Sequence, residues 1–356
     1  MDATLPRPSR RDAKLCAKVR DIRHTEIVPR PTLAQVADAA GVSVATVSRV
    51  LRERGEISPT TRARVRDAAD ALGYGAGGRG RPRAGTARLI DLVMGRYDGP
   101  YSEEVVVGAR EAATRLGYDL VLTAERDDPA DDWPARIAAR GSGGVVLGLN
   151  VPTARQLARL EAAAIPLVLF EPSSESRVPL PNVRTTDRAG GADAARHLLD
   201  RGARRFVVVD GAPSYRWGRA RVEGFGAALA EIVPDAVLRR VATGWSASGA
   251  RRVVRAVLPE LPGDGSVGVF ACSDEMAAGV YAAAADLGLG IPDDVLVVGF
   301  DDVRGARWLR PALTTVRQPI REMAAAAVEL LVQPPLAGAP TTIELPTRLM
   351  VRGSTG

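Results

Sequence analysis

Between Leu89 and Asp302 the chain repeats one pattern. Short apolar runs, LIDLVM, YDLVLTA, GVVLGL, PLVLFE, RFVVVDG, VGVFACSD and VLVVGFDD, are separated by helical stretches such as SEEVVVGAREAATRL and DRAGGADAARHLLDRG. An apolar run without polar alternation fits a strand buried on both faces, and such strands belong to parallel sheets with helical crossovers. The pattern predicts an α/β core with helices covering parallel sheets on both faces. About seven such units are too many for one small doubly wound domain, so the core is read as two lobes side by side.

Length and charge place something else in front of that core. At 356 residues the chain exceeds one typical domain. Residues 1–85 hold 17 Lys and Arg against 9 Asp and Glu, a net +8 that exceeds the +6 of the whole chain, so the rest is slightly acidic. This asymmetry fits either a polyanion-binding module or a solvated basic tail. No apolar run approaches the roughly 20 residues that span a bilayer, and MDATLPRPSRRDAK lacks a secretory apolar region, so a cytoplasmic protein without membrane attachment is expected. Cys16 and Cys272 lie in unrelated contexts and read as free thiols; no metal or cofactor is expected.

From Thr32 to Gly73 the pattern is helical. Thr32 and Gln35 make a capping box before LAQVADAA, Gly41 breaks that helix, Ser43 caps VATVSRVL, and Ser58-Pro59 opens a third helix. Val36, Ala37 and Ala40 on one helix, with Val47 and Val50 on the next, have the spacing of a helix-turn-helix. Generic helix packing gives the same periodicity. What favours DNA is the exposed set: Val44 and Ala45 suit thymine methyls, Thr46 and Ser48 suit phosphates, and Arg49 suits guanine O6 and N7.

The run Thr32 to Leu51, followed by ISPTTRARVRDAADALGY, resembles the headpiece of the LacI/GalR family of bacterial repressors, and the likeness extends from residue 31 to 352. The resemblance implies a homodimer reading a near-palindromic double-stranded DNA operator, with a small sugar-like effector held in a periplasmic-binding-protein-like core. By position it implies that Val44, Ala45 and Arg49 read bases and that Thr32, Thr46, Ser48 and Tyr74 clamp the backbone. Leu33 falls where the family approaches a base edge, and Ser43 opens the reading helix. The implied organisation is a mobile basic arm at 1–30, a helix-turn-helix domain at 31–74, a hinge at 75–87 and a core at 88–356. Within the core, an N-lobe comprises 88–185 and 318–332, and a C-lobe 186–317 and 333–356.

The hinge departs from the family. YGAGGRGRPRAGTARL has no leucine at the wedge position, and its glycines and Pro82 disfavour a helix by about 1 kcal/mol per glycine and about 3 kcal/mol for an internal proline. Arg79-Gly80-Arg81-Pro82 instead looks like an AT-hook core. An extended backbone carrying Arg79 and Arg81 fits a narrow A·T minor groove, whose negative potential attracts arginine. A flexible basic linker with diffuse phosphate attraction is the competing reading.

In two-lobed α/β proteins ligands sit at the carboxyl ends of strands. Glu171, Asp210, Ser273-Asp274 and Asp301-Asp302 occupy such ends, and Trp245 and Tyr101 are candidate rings for the apolar face of a sugar. Family correspondence implies that Arg221, Asp301 and Ser273 contact effector, with Trp245 and Glu171 close behind. Glu171 stands where aspartate is frequent, and Ser273 where asparagine is frequent. The alternatives are ion pairs for Arg219 and Arg221, turn capping by Asp301 or Asp302, a core place for Trp245, core or pocket rim for Trp308, and helix packing for His197. An enzyme fused to a DNA-binding domain is the rival class, but there is no GxxxxGK[ST], no GxSxG and no GxGxxG after LIDLVM. No catalytic residue is expected. Residues 102–116 are the leading helix for the N-lobe dimer face, and the end lacks the leucine heptads of a tetramer.

Overall fold

The computed structural model describes residues 33–51, 57–71, 88–126, 128, 131–176, 178–211, 214–261, 265–334 and 341–356. The chain divides into two compact units, Met1–Ala84 and Gly85–Gly356. Thr32, Tyr74, Arg79 and Arg81, with the arm at 1–30 and the segment 75–87, lie outside the described residues.

In the first unit three helices, α1 (Leu33–Ala40), α2 (Val44–Leu51) and α3 (Pro59–Ala71), enclose a small core of Val36, Ala37, Ala40, Val47, Val50, Val65 and Ala69. The α1–α2 turn is short because Gly41 takes φ +61°, letting its amide reach Asp38 O (3.2 Å) and the Val42 amide reach Ala37 O (3.0 Å). This is the Schellman pattern that satisfies the last carbonyls of a helix. Arg64 of α3 donates to Ala40 O at 2.6 Å, a long-range cap that no local motif announced. Ser43 Oγ accepts from the Thr46 amide at 3.2 Å, and Ser58 Oγ from the Thr61 amide at 3.2 Å, so the caps expected at these two serines are present, while Thr32 of the expected capping box lies outside the described residues.

The second unit holds two six-stranded sheets, of order β11-β5-β4-β3-β1-β2 and β12-β10-β9-β8-β6-β7. The first contains β1 (Leu89–Met94), β2 (Asp119–Ala124), β3 (Val145–Gly148), β4 (Leu167–Phe170), β5 (Asn182–Thr185) and β11 (Thr342–Leu345). The second contains β6 (Arg205–Asp210), β7 (Val237–Ala242), β8 (Val267–Ala271), β9 (Val295–Asp301), β10 (Thr314–Arg317) and β12 (Arg348–Met350). All described pairings are parallel except β10 with β12. The helices are α4 (Pro100–Arg115), α5 (Trp133–Arg140), α6 (Ala154–Ala162), α7 (Asp187–Asp200), α8 (Arg216–Ile232), α9 (Ala247–Val257), α10 (Asp274–Asp286) and α11 (Ile320–Val332).

One lobe boundary is corrected. Residues 333–356 do not all belong to the second lobe, because β11 pairs in parallel with β5 in the first sheet, Thr342 opposite Asn182 and Leu345 opposite Thr185. The chain therefore passes between lobes near 186, 318 and 346, and the last passage is tied by Thr186 Oγ1 to Thr347 Oγ1 at 3.0 Å. The strands missed in sequence, β5, β7 and β10 to β12, are short or alternate polar residues, which hides the buried-strand pattern.

Close packing of α7 on α8 sets the interior of the second lobe. A Cβ on Gly191 would lie 2.0 Å from Arg221 O, and one on Gly224 1.9 Å from Arg188 O, so each helix accepts the other's backbone through a glycine. This seam fixes the height of Arg221 above the sheet.

Candidate functional site

In the first unit, α2 presents Val44 (47% exposed) and an exposed Arg49, while Val47 and Val50 face inward. Thr46 is partly buried and its hydroxyl meets Ser43 Oγ at 2.9 Å. Leu33 opens α1, and Ala45 and Ser48 lie on α2. A helix that exposes Val44 and Arg49 while its other face is anchored to α1 and α3 is what major-groove reading requires.

In the second unit, strand ends and helix starts bring together four buried charges and the part-buried Arg216. Arg221, on the second turn of α8, donates through Nε to Asp187 Oδ1 (2.9 Å) and through Nη1 to the Cys272 carbonyl (2.7 Å), with Asp301 Oδ1 at 3.6 Å. Arg216, at the start of the same helix, reaches Glu171 Oε2 (3.2 Å) and Asp187 Oδ2 (3.5 Å). Glu171 Oε1 accepts from the Thr185 amide at 2.6 Å, and Asp301 Oδ1 from Gln318 Nε2 at 2.6 Å. The cluster thus joins the end of β4 in one lobe to the start of α7 and the ends of β8 and β9 in the other.

Three carboxylates share two guanidiniums, and the imbalance shows in their proton affinities. Burial first, then the neighbouring Asp187 carboxylate, pushes Glu171 up to about 8. Burial also pushes Asp301 up to about 7 against the pull of Arg221, and raises Asp187. Burial works against the Arg221 charge, but Asp187 and Asp301 outweigh it and hold the guanidinium above its ordinary value. The Arg221 guanidinium carbon also lies 3.8 Å from the Phe300 ring centroid, an arrangement favourable to a cation.

The remaining expected residues divide. Tyr101, on α4, stands 6.4 Å from Phe170 between ring centroids, and burial, then the Glu171 and Asp301 carboxylates, raise its phenol well above the ordinary value. Trp245 belongs to an aromatic wall with Trp217, at 4.3 Å between centroids. Ser273 Oγ accepts from the Met276 amide at 3.2 Å and so caps α10. Turn capping after β9 is not the work of Asp301 or Asp302: the Val303 amide donates to Asp274 Oδ2 at 2.9 Å, and Asp302 pairs with Arg352. Trp308 is 64% exposed, so it is not a core residue; Arg304 sits over its ring at 5.1 Å. His197 Nε2 meets Thr355 Oγ1 at 2.8 Å, a packing contact.

Sequence reasoning missed Asp187, Arg216, Trp217 and Gln318. Asp187 and Arg216 are the first residues of the helices that come after β5 and β6, and Trp217 lies four residues before Arg221 on one helix face.

Residues 32–76 match the model described as bacterial regulatory proteins, lacI family, and residues 195–355 match a periplasmic binding protein-like domain. An HTH-type transcriptional regulator of Streptomyces limosus, from the aml 5' region, is 37% identical over 85% of this chain and 88% of that protein. The chain belongs to the lacI family. The HTH-type transcriptional regulator MalR of Streptomyces coelicolor is 33% identical over 91% of this lacI-family chain and 96% of the relative. Among solved structures, the transcriptional regulator CelR-cellobiose complex has a TM-score of 0.65 at 27% identity, covering 91% of this chain and 100% of that one. As a member of the lacI family the protein is a DNA-binding transcriptional regulator and not an enzyme. No described helix is long and apolar enough to cross a membrane.

Proposed function

We propose that this regulator is a repressor that binds an operator as a homodimer and changes its grip when a small sugar occupies the Arg221 cluster. The observation that carries the reading is the cluster itself: four buried charges and the part-buried Arg216 drawn from both lobes, with Asp210 Oδ1, Gln318 Oε1 and the indole nitrogens of Trp217 and Trp245 buried and without a protein hydrogen-bond partner. A scaffold network closes its hydrogen bonds internally, whereas a ligand site leaves some for its ligand. CelR, which matches 91% of this chain, is described in a complex with cellobiose. Effector joining the two lobes would alter the spacing of the two headpieces, and a coupling of about 1 to 3 kcal/mol corresponds to an affinity change of about 5- to 150-fold.

In this reading Val44, Ala45 and Arg49 read bases, Leu33 approaches a base edge, and Ser43, Thr46, Ser48, Thr32 and Tyr74 hold the backbone. Arg79 and Arg81 enter an A·T minor groove at the operator centre in place of a leucine wedge, and helix α4 forms part of the dimer face. The protein acts at the nucleoid. Fluorescence anisotropy with operator and scrambled DNA tests the headpiece. Arg49→Ala removes one bidentate base contact and lowers the preference for operator by about 1 to 3 kcal/mol; an unchanged preference refutes the assignment. Replacing Arg79 and Arg81 by Gln lowers the preference for A·T at the operator centre, whereas a uniform loss on all DNA marks them as linker charges.

A further inference from the structure

Helix α8 begins without a cap of its own. Tyr215 at its N-cap gives no side-chain hydrogen bond, its first turn holds no acidic residue, and its first residue is a cation, Arg216. A positive charge there opposes the helix dipole, and the first amides of a helix need acceptors from outside it. The other lobe provides them. The Arg216 amide donates to Ser173 O at 2.6 Å, and its guanidinium donates through Nε to Pro172 O at 3.4 Å and through Nη2 to Glu171 Oε2 at 3.2 Å. Three consecutive residues after β4 thus meet one residue of α8.

The same side chain reaches across the first passage between the lobes. Glu171 Oε1 accepts from the amide of Thr185, the last residue of β5. Arg216 Nη1 lies 3.5 Å from Oδ2 of Asp187, the first residue of α7. At Thr185, Thr186 and Asp187 the chain leaves one lobe and enters the other, so Glu171 and Arg216 together straddle that passage. The side chains of Glu171 and Asp187 are 1% exposed and that of Arg216 is 15% exposed, which shields these contacts from water. Hinges are a few residues at the ends of elements, and a contact that spans one favours a single angle.

Resting on the effector reading above, we propose that Arg216 is a positioning residue: it braces the passage at 186 in the interlobe angle of the sugar-free regulator, and an effector in the cluster acts by displacing that brace. The carboxyl oxygens of Glu171 and Asp187 face Thr185, Arg221 or Arg216, so a ligand hydroxyl that draws on Glu171 Oε2 or Asp187 Oδ2 competes with Arg216. A ligand shifts a two-state equilibrium only through contacts that differ between the states, and this competition is such a difference. Loss of the brace therefore mimics bound sugar. Because coupling between two binding sites is reciprocal, it also tightens sugar binding.

The test compares the intact natural protein with Arg216→Ala and Arg216→Lys at pH 8.5, where Glu171, raised to about 8, is mostly ionised. Operator affinity is read by anisotropy on DNA from upstream of the coding sequence, sugar affinity by titration with maltose and cellobiose, and the passage by hydrogen exchange of the sugar-free proteins. Without sugar, Arg216→Ala changes operator affinity at least fivefold, in the direction in which bound sugar moves the natural chain. It binds that sugar at least threefold more tightly, whereas damage to the fold weakens binding. Exchange at the Thr185 amide rises at least tenfold while the amides of β1 keep their protection. Arg216→Lys keeps a cation for Glu171 but not the fork that also reaches Asp187 and Pro172, so it falls between the two, and it decides the matter if Arg216→Ala does not fold. A sugar-free variant with natural operator affinity, or one that binds sugar more weakly, overturns the brace and leaves effector control standing. Should neither sugar move the operator affinity of the natural chain, it is the effector reading that fails for these sugars, and the sugar-free operator affinity with the Thr185 exchange then decides the brace.

Discussion

Two buried polar clusters in the core look alike in composition and differ in completeness. In the first lobe Asp91, fully buried in the middle of β1, accepts from the hydroxyls of Thr123 and Ser142 and from Arg140, so that one carboxylate meets one guanidinium and two hydroxyls. In the other, Glu171, Asp187 and Asp301 share Arg216 and Arg221, and acceptors nearby stay open. A saturated network stabilises a fold; one with surplus carboxylate and open hydrogen bonds is poised for a ligand. The difference separates scaffold from site where burial alone does not.

The comparison breaks most readily at Asp91. Asp91→Ala leaves Arg140, Thr123 and Ser142 without their common acceptor, and the core loses about 3 kcal/mol in urea denaturation. Sugar binding by the folded fraction is unchanged. A smaller cost is expected at the α7–α8 seam: Gly191→Ala forces a Cβ onto the Arg221 carbonyl and costs about 1 to 3 kcal/mol of overpacking. Unlike Asp91→Ala, it also weakens sugar binding, because Arg221 is displaced with its helix. The smallest effect lies in pH. Because the Glu171 carboxyl is raised to about 8 in the folded protein, its contribution to stability is full below its ordinary range and is lost as pH rises towards 8. Thermal unfolding of Glu171→Gln is therefore less sensitive to pH between 6 and 8 than that of the natural chain. An equal slope in both proteins contradicts the assignment of surplus charge to Glu171.

Much of the scaffold was legible because it depends on local pattern. The strands β1 to β4, β6, β8 and β9 are apolar runs, and the caps at Ser43 and Ser58 are local motifs. The site was legible only in part. Glu171, Arg221 and Asp301 were reached through strand ends and family position, but Asp187 and Arg216 matter through partners 34 and 45 residues away. No periodicity records such pairings. The third passage between lobes was hidden for the same reason: β11 reads as TIEL, and only its pairing with β5 shows which sheet it joins.

The central claim, that a sugar held at Arg221 governs DNA binding, is tested most directly by anisotropy of the intact protein on DNA from upstream of its own coding sequence, with and without a saccharide shown by titration to bind. The account predicts a salt-resistant preference over scrambled DNA and a change of about 5- to 150-fold on adding the sugar. A bound sugar that leaves operator affinity unchanged contradicts it.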